Sequence, residues 1–266
     1  MTRQPLRVRV WSDLHLEMRR NASVLLPLPP VGDADVVILA GDIGNGASGV
    51  QWAATTFPDT PVAYVLGNHE FYHGDIDATL DACQRAAEGT TVRVLEKDSW
   101  DIAPGVRLLG ATLWTDLDLW GDWGSRTSAL DAMQMNDFHL ITIAGQRFTP
   151  DAAIDLHDAT RTWLHAELAR ATIDEVRTIV VTHHAPHASC LGPAFVTTRD
   201  SLSPCFASDL SELLIGPMPP FAWVSGHTHA NYVGQVGKTL LVSNQAGYKF
   251  RGECPDFVPD GVRIDV

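Results

Sequence analysis

Apolar and polar positions along the chain fall into two rhythms. Val36–Ala40 and Pro61–Leu66 are short, nearly unbroken apolar runs, the pattern of strands buried on both faces. Arg7–Ser12, a β-branched and aromatic run, reads as a strand, as do Val92–Leu95, Val106–Ala111 and Thr178–Thr182. Helical spacing lies between them. Gly46–Phe57 is weakly helical, and Asp75–Glu88 sets Ile76, Leu80 and Cys83 on one face before a stop at Gly89. Thr149-Pro150-Asp151 has the form of an N-cap with proline at the first helical position, opening a long helix predicted to run to about Ala171. A helix over Ser208–Ile215, a turn-rich break at Gly216–Pro220 and strands at Ala222–Ser225, Tyr232–Val236, Thr239–Ser243 and Val262–Val266 complete an α/β pattern.

The stretch Trp114–Phe148 interrupts this rhythm. It carries Trp114, Trp120 and Trp123 with Asp116, Asp118, Asp122, Asp131 and Asp137. A connection this long is expected to be functional, and its aromatic content predicts a packed, cap-like insertion near an active site, its tryptophans forming cap core rather than a substrate platform. The rest of the chain, residues 1–266, is read as a single domain around it.

Charge narrows the function. With 19 Lys and Arg against 32 Asp and Glu, the formal charge is −13, the wrong sign for a general nucleic-acid binder. A phosphate-bearing substrate stays open, because bound cations invert the local field. Cys83, Cys190, Cys205 and Cys254 have no C-x-x-C spacing, and no secretory or membrane-spanning segment is apparent, so reduced thiols, no membrane partner and a cytoplasmic location are expected.

Against this background stand five short motifs: Ser12-Asp13-Leu14-His15, Gly41-Asp42, Gly67-Asn68-His69-Glu70, Thr182-His183-His184 and Gly226-His227-Thr228-His229. The first four each follow a predicted strand, where α/β sheets gather ligands. Carboxylate and imidazole together suit divalent ions such as Mn, Fe or Zn. In Asp13-x-His15 and His227-x-His229, alternate side chains of an extended segment share one side. The glycines before Asp42, Asn68 and His227 permit tight turns and close backbone approach. Singly, Asp13 and Asn68 would pass for turn residues, and either His183 or His184 could be the ligand of its doublet; five such motifs together point to metal.

In order and type, the five blocks resemble the calcineurin-like metallophosphoesterase superfamily. The resemblance runs from Asp13 to His229. It implies a four-layer αββα sandwich of two mixed sheets, with a dinuclear site at the strand ends. It further implies one divalent ion on Asp13, His15, Asp42 and His229, and a second on Asp42, Asn68, His183 and His227, with Asp42 shared and His183 preferred over His184. A metal-activated hydroxide would attack the phosphoester, two ions clamping the phosphoryl oxygens. His69, not a ligand in this scheme, would serve the leaving group. The expected substrate is a small phosphodiester or, close behind, a phosphomonoester. Phe71, Tyr72, His139, His184, His187 and Arg251 are candidate substrate contacts, while His157 and His165 are read as packing or surface residues of the long helix.

Two other functions compete. His69-Glu70-Phe71-Tyr72-His73 matches H-E-x-x-H, the zinc metallopeptidase signature, which needs both histidines on one helix face. That reading leaves Asp13, His15, Asp42, His183, His227 and His229 without a role. A non-catalytic metal-binding module is the other, and the full motif set with His69 weighs against it.

Overall fold

The computed structural model describes residues 5–28, 32–121 and 132–266. Asp122, Trp123 and Asp131 of the expected cap lie outside them. Strands β1 (Arg7–Trp11), β2 (Val36–Ala40), β3 (Val62–Val65) and β4 (Val92–Val94) run parallel, and β13 (Val262–Asp265) pairs antiparallel with β1, giving a five-stranded sheet of order β13-β1-β2-β3-β4. A six-stranded sheet joins β5 (Asp98–Ala103), β6 (Val106–Ala111), β9 (Arg177–Thr182), β10 (Ala222–Val224), β11 (Val233–Val236) and β12 (Thr239–Val242). Its order is β11-β12-β10-β9-β6-β5, parallel in the centre and antiparallel at both edges.

Period-two alternation assigns each strand face its layer. Val8, Val10, Ile38, Ala40, Ala63 and Val65 pack across the seam between the sheets against Leu108, Ile179, Val181, Ala222 and Val224. The intervening Val37, Leu39, Val62 and Tyr64 turn outward onto Val50 and Ala53 of the Ser48–Thr56 helix and onto Ile76 and Cys83 of the Ile76–Ala87 helix. On the far side, Val180, Trp223 and Leu241 meet Leu164 and Leu168 of the Pro150–Ile173 helix. These layers are the expected αββα sandwich of two mixed sheets. Thr149 caps the long helix through its side chain, which accepts from the Ala152 amide at 3.2 Å.

Departures from the sequence expectation are local. Strand β5 is an edge strand whose residues are at most half-buried, so it shows no apolar run. The helix expected from Ser208 begins at Ser211, because the Ser208 and Leu210 amides donate instead to Ala185 and Pro186 in the loop after β9. The Arg19–Leu25 helix has few apolar positions to betray it. In the Trp114–Phe148 stretch, Trp114 packs on Phe148 (ring centroids 4.6 Å apart) and Phe71 (5.8 Å), and Phe138 stacks on Phe148, so these rings are core. A two-stranded hairpin, β7 (Thr142–Ile143) with β8 (Gln146–Arg147), follows. All four cysteines are buried thiols. No described helix is long and apolar enough to cross a membrane.

Candidate metal centre

Five loops leave the carboxyl ends of strands from both sheets and are tied together by their own backbones. The Asp13 and His15 amides donate to Gly41 and Asp42 across the ends of β1 and β2 (3.0 Å each). Hydrogen bonds bridge the seam: the His227 amide donates to the Asp13 carboxylate at 3.0 Å, His183 Nδ1 donates to the Ala40 carbonyl at 2.9 Å, and the Ser12 amide donates to the Asn244 carbonyl at 3.0 Å. Asp13, His15, Asp42, His227 and His229 all have φ between +47° and +70°. Left-handed backbone at non-glycine residues is costly and clusters at functional sites. All three motif glycines sit where a Cβ would strike a neighbour, His183 and the Gly67 backbone for Gly41, Asp42 for Gly67 and Asp13 for Gly226, and Gly41 also has a φ of +86°.

The side chains converge as two clusters, Asp13–His15–His229 and Asp42–His183–His227. In the first, His15 Nε2 lies 3.0 Å from His229 Nε2, with Asp13 Oδ1 at 3.6 Å from the latter. In the second, His183 Nε2 lies 3.0 Å from Asn68 Oδ1, 3.1 Å from His227 Nδ1 and 3.4 Å from Asp42 Oδ1. The other oxygen of Asp42, Oδ2, faces the first cluster, 3.8 Å from His15 Nε2.

The outer atoms of these groups explain their orientation. Glu17 accepts from His15 Nδ1 (3.3 Å) and His69 Nδ1 (2.9 Å), Glu253 accepts from His229 Nδ1 (2.6 Å), and Asp137 accepts from Asn68 Nδ2 (2.8 Å). With its proton held at Nδ1, each of His15, His183 and His229 turns an Nε2 lone pair inward. The Nε2 atoms of His15 and His229, 3.0 Å apart, need a positive centre shared between them, a metal ion or a proton on His229, which burial would disfavour but the Glu253 hydrogen bond and the Asp13 charge favour. The donor set of carboxylates, imidazoles and an amide oxygen fits divalent metal ions. Burial pushes His15 down to about 4, with Glu17 opposing, and lowers His183 and His227 as well, so these imidazoles are neutral and free to ligate. Burial also raises Asp42, reinforced by the nearby Glu70 and Asp13 charges, and pushes Asp13 up to about 6 against the pull of His229. Glu17 goes the other way: burial would raise it, but the hydrogen bonds from His15 and His69 outweigh this and hold it at about 2. The further grouping of His15, Glu17 and His69 is accounted for by those two N–H···O bonds.

A cavity of about 480 Å³ opens over both clusters, bounded by Asn68, His69, Tyr72, Tyr248 and Glu253 among others. Of the candidate substrate contacts, Tyr72 lines it. Phe71 does not: it is core, packed on Trp114. His184 is buried behind the clusters against Trp114 and His227, its Nδ1 donating to the Thr112 carbonyl. His139 points away to Arg147, His187 bonds to Ser189, and Arg251 lies over the Tyr248 and Phe250 rings. His157 is fully buried packing, donating to the Trp114 carbonyl, and His165 is half exposed near Glu212.

The peptidase alternative fails on geometry. The helix ends at Phe71, and His73 sits beyond it at φ +65°. Glu70, the would-be base, is buried and saturated: it accepts from the amides of Asp42, Ile43 and Gly67 and from the Tyr64 hydroxyl, all within 2.9 Å. Sequence reasoning missed Glu17, Asp137 and Glu253, which the five motifs do not include. Only Glu17, two residues beyond His15, offered a local signal.

The chain belongs to the calcineurin-like phosphoesterase family, whose model matches residues 6–231. A curated relative, an uncharacterised protein of Acanthamoeba polyphaga mimivirus, is 26% identical over 272 residues, covering 91% of each chain. Among solved structures, a phosphopantetheinyl hydrolase from Mycobacterium tuberculosis superposes with a TM-score of 0.72 at 17% identity, covering 98% of this chain and 96% of that one. A dimetal phosphatase from Danio rerio matches at 0.50 and 14%, covering 92% of this chain and 88% of that one.

Proposed function

We propose that this protein is a hydrolase that uses two divalent ions to cleave a small phosphoester. The observation that carries this reading is the placement of Asp42, whose two oxygens face one cluster each. One ion would sit on Asp13, His15, His229 and Asp42, the other on Asp42, Asn68, His183 and His227. Bound there, the ions would supply positive charge against the phosphoryl oxygens and acidify a water. His69 stands outside both sets. Glu17 accepts from its Nδ1 and leaves Nε2 facing the cavity, 3.5 Å from the Tyr248 hydroxyl, where a second proton, its charge balanced by the Glu17 carboxylate, would pass to the departing oxygen.

A phosphodiester is favoured over a phosphomonoester. Hydrogen bonds hold Glu253 at the cavity wall, and Glu17 on the outer nitrogens of His15 and His69, ionised against the opposing effect of burial, and fixed negative charge opposes a dianionic monoester more than a monoanionic diester. The phosphopantetheinyl hydrolase among the structural neighbours makes a phosphopantetheinyl ester the first natural-type compound to assay. Four buried thiols fit a reducing cytoplasm. The test is hydrolysis of p-nitrophenyl phosphate and bis-p-nitrophenyl phosphate across a panel of Mn²⁺, Fe²⁺ and Zn²⁺. The diester should turn over faster, and Asp42→Ala should abolish both activities. Normal turnover by metal-stripped Asp42→Ala protein would sink the mechanism.

A further inference from the structure

The cavity has two unlike halves. One is the ligand cluster. The other begins directly at His227, whose ring lies 5.1 Å from that of Phe206; Leu191 and Phe195 line the same cavity, as does Met135 between the polar Gln134 and Asn136. Phe206 is half-buried and Leu191 is buried, so this part of the wall is fixed. Phe195 differs. It is 46% exposed, on the short Pro193–Thr198 helix, none of whose residues is buried. A phenyl ring at a cavity wall, carried by a helix with so little packing of its own, contributes its apolar area to whatever enters the cavity.

We propose that this wall is a subsite for an uncharged, apolar arm of the phosphoester, lying beside the His227 cluster while the phosphoryl group meets the ions. The proposal rests on the phosphoesterase reading and extends it from reaction to substrate class. The occupant is set by continuity: the apolar surface and the ligand set share one cavity of about 480 Å³, so a molecule whose phosphate reaches the ions must place its remainder in the same space. A medium-length alkyl or aryl arm fits such a volume. Each methylene taken out of water there should raise the specificity about fourfold.

The experiment compares methyl, hexyl and thymidine p-nitrophenyl phosphodiesters with Mn²⁺-loaded protein, alongside calorimetric binding of methylphosphonate and hexylphosphonate. With about two or three of the five additional methylenes taken out of water, the expected result is a kcat/KM for the hexyl ester about 10- to 100-fold above that for the methyl ester, arising mostly in KM. Phe195→Ala, at an exposed position that does not support the core, should shrink that ratio severalfold; Phe206→Ala tests the fixed part of the wall in the same way. Equal turnover of methyl and hexyl esters, or a preference untouched by both variants, overturns the proposal. So does a preference for the thymidine ester. Absence of turnover with every ester would count against the phosphoesterase reading alone. In that case the phosphonates decide: tighter hexylphosphonate binding, weakened in Phe195→Ala, upholds the subsite, and equal binding removes it.

Discussion

Glu70 shows how much of this site is built by a residue that would touch no metal. Its carboxylate gathers backbone amides from the loops after β2 and β3 and thereby sets the positions of Asp42, Asn68 and His69. An amide cannot replace it, because Gln would aim two donor hydrogens at donors. Glu70→Gln should lose about 2–4 kcal/mol of stability in urea unfolding and take up less metal. A peptidase-type base in this position would instead leave both unchanged. His69 makes the opposite prediction. With its Nδ1 on Glu17 and no place in either ligand cluster, His69→Ala should keep the metal content measured by elemental analysis and lose about 10²- to 10⁴-fold in kcat. Loss of metal in that variant would make His69 a ligand.

At the level of elements, strand ends decide which residues meet. The apolar runs at Val36–Ala40 and Pro61–Leu66 made β2 and β3 legible, and Asp42 and Asn68 follow those runs at the strand ends. Strand β5 was not legible: a half-exposed edge strand carries no two-sided apolar signature. Nor were Glu253 and Asp137, because acidic residues are common on a chain this charged and only folding brings these two to His229 and Asn68. The glycines were read as loop-formers, but their demands differ. A Cβ on Gly67 would meet the side chain and backbone of Asp42, whereas Gly89, at φ +71°, has open space around it. Gly67→Ala should therefore abolish metal uptake. Gly89→Ala should cost about 1 kcal/mol through its backbone angle and leave metal content intact. Equal metal content in the two variants would contradict the close packing of the loops.

For the molecule as a whole, buried neutral imidazoles link stability to pH. Burial pushes His184 down to about 3 and also lowers His157. Between the ordinary histidine value of about 6.5 and these depressed values, the unfolded chain binds protons that the folded chain refuses. The stability from keeping them neutral is complete above about 6.5 and is lost as pH falls toward 3. At pH 5.5 His184 should cost about 1.4 kcal/mol, with His157 adding in the same direction, read as a lower urea midpoint in chelator-treated protein. A midpoint flat from pH 7.5 to 5 would mean that these rings are hydrated and titrate freely.

The seam between the sheets has a mechanical consequence. Asp13, Asp42 and Asn68 hang from one sheet, while His183, His227 and His229 hang from the other, so ions seated among them would act as rivets through two plates. Rivets hold the plates edge to edge only where they pass through; away from them the seam is closed by packed side chains such as Val8, Ile38, Ala63, Leu108 and Ile179. Removing the ions should make the molecule gape at one rim, like a book opened from its fore-edge while the spine stays shut. Amide exchange after chelation should then quicken together at the carboxyl ends of β2, β3, β9 and β10, and stay slow at their amino ends. Quickening confined to a single sheet would show that the two plates are fastened independently.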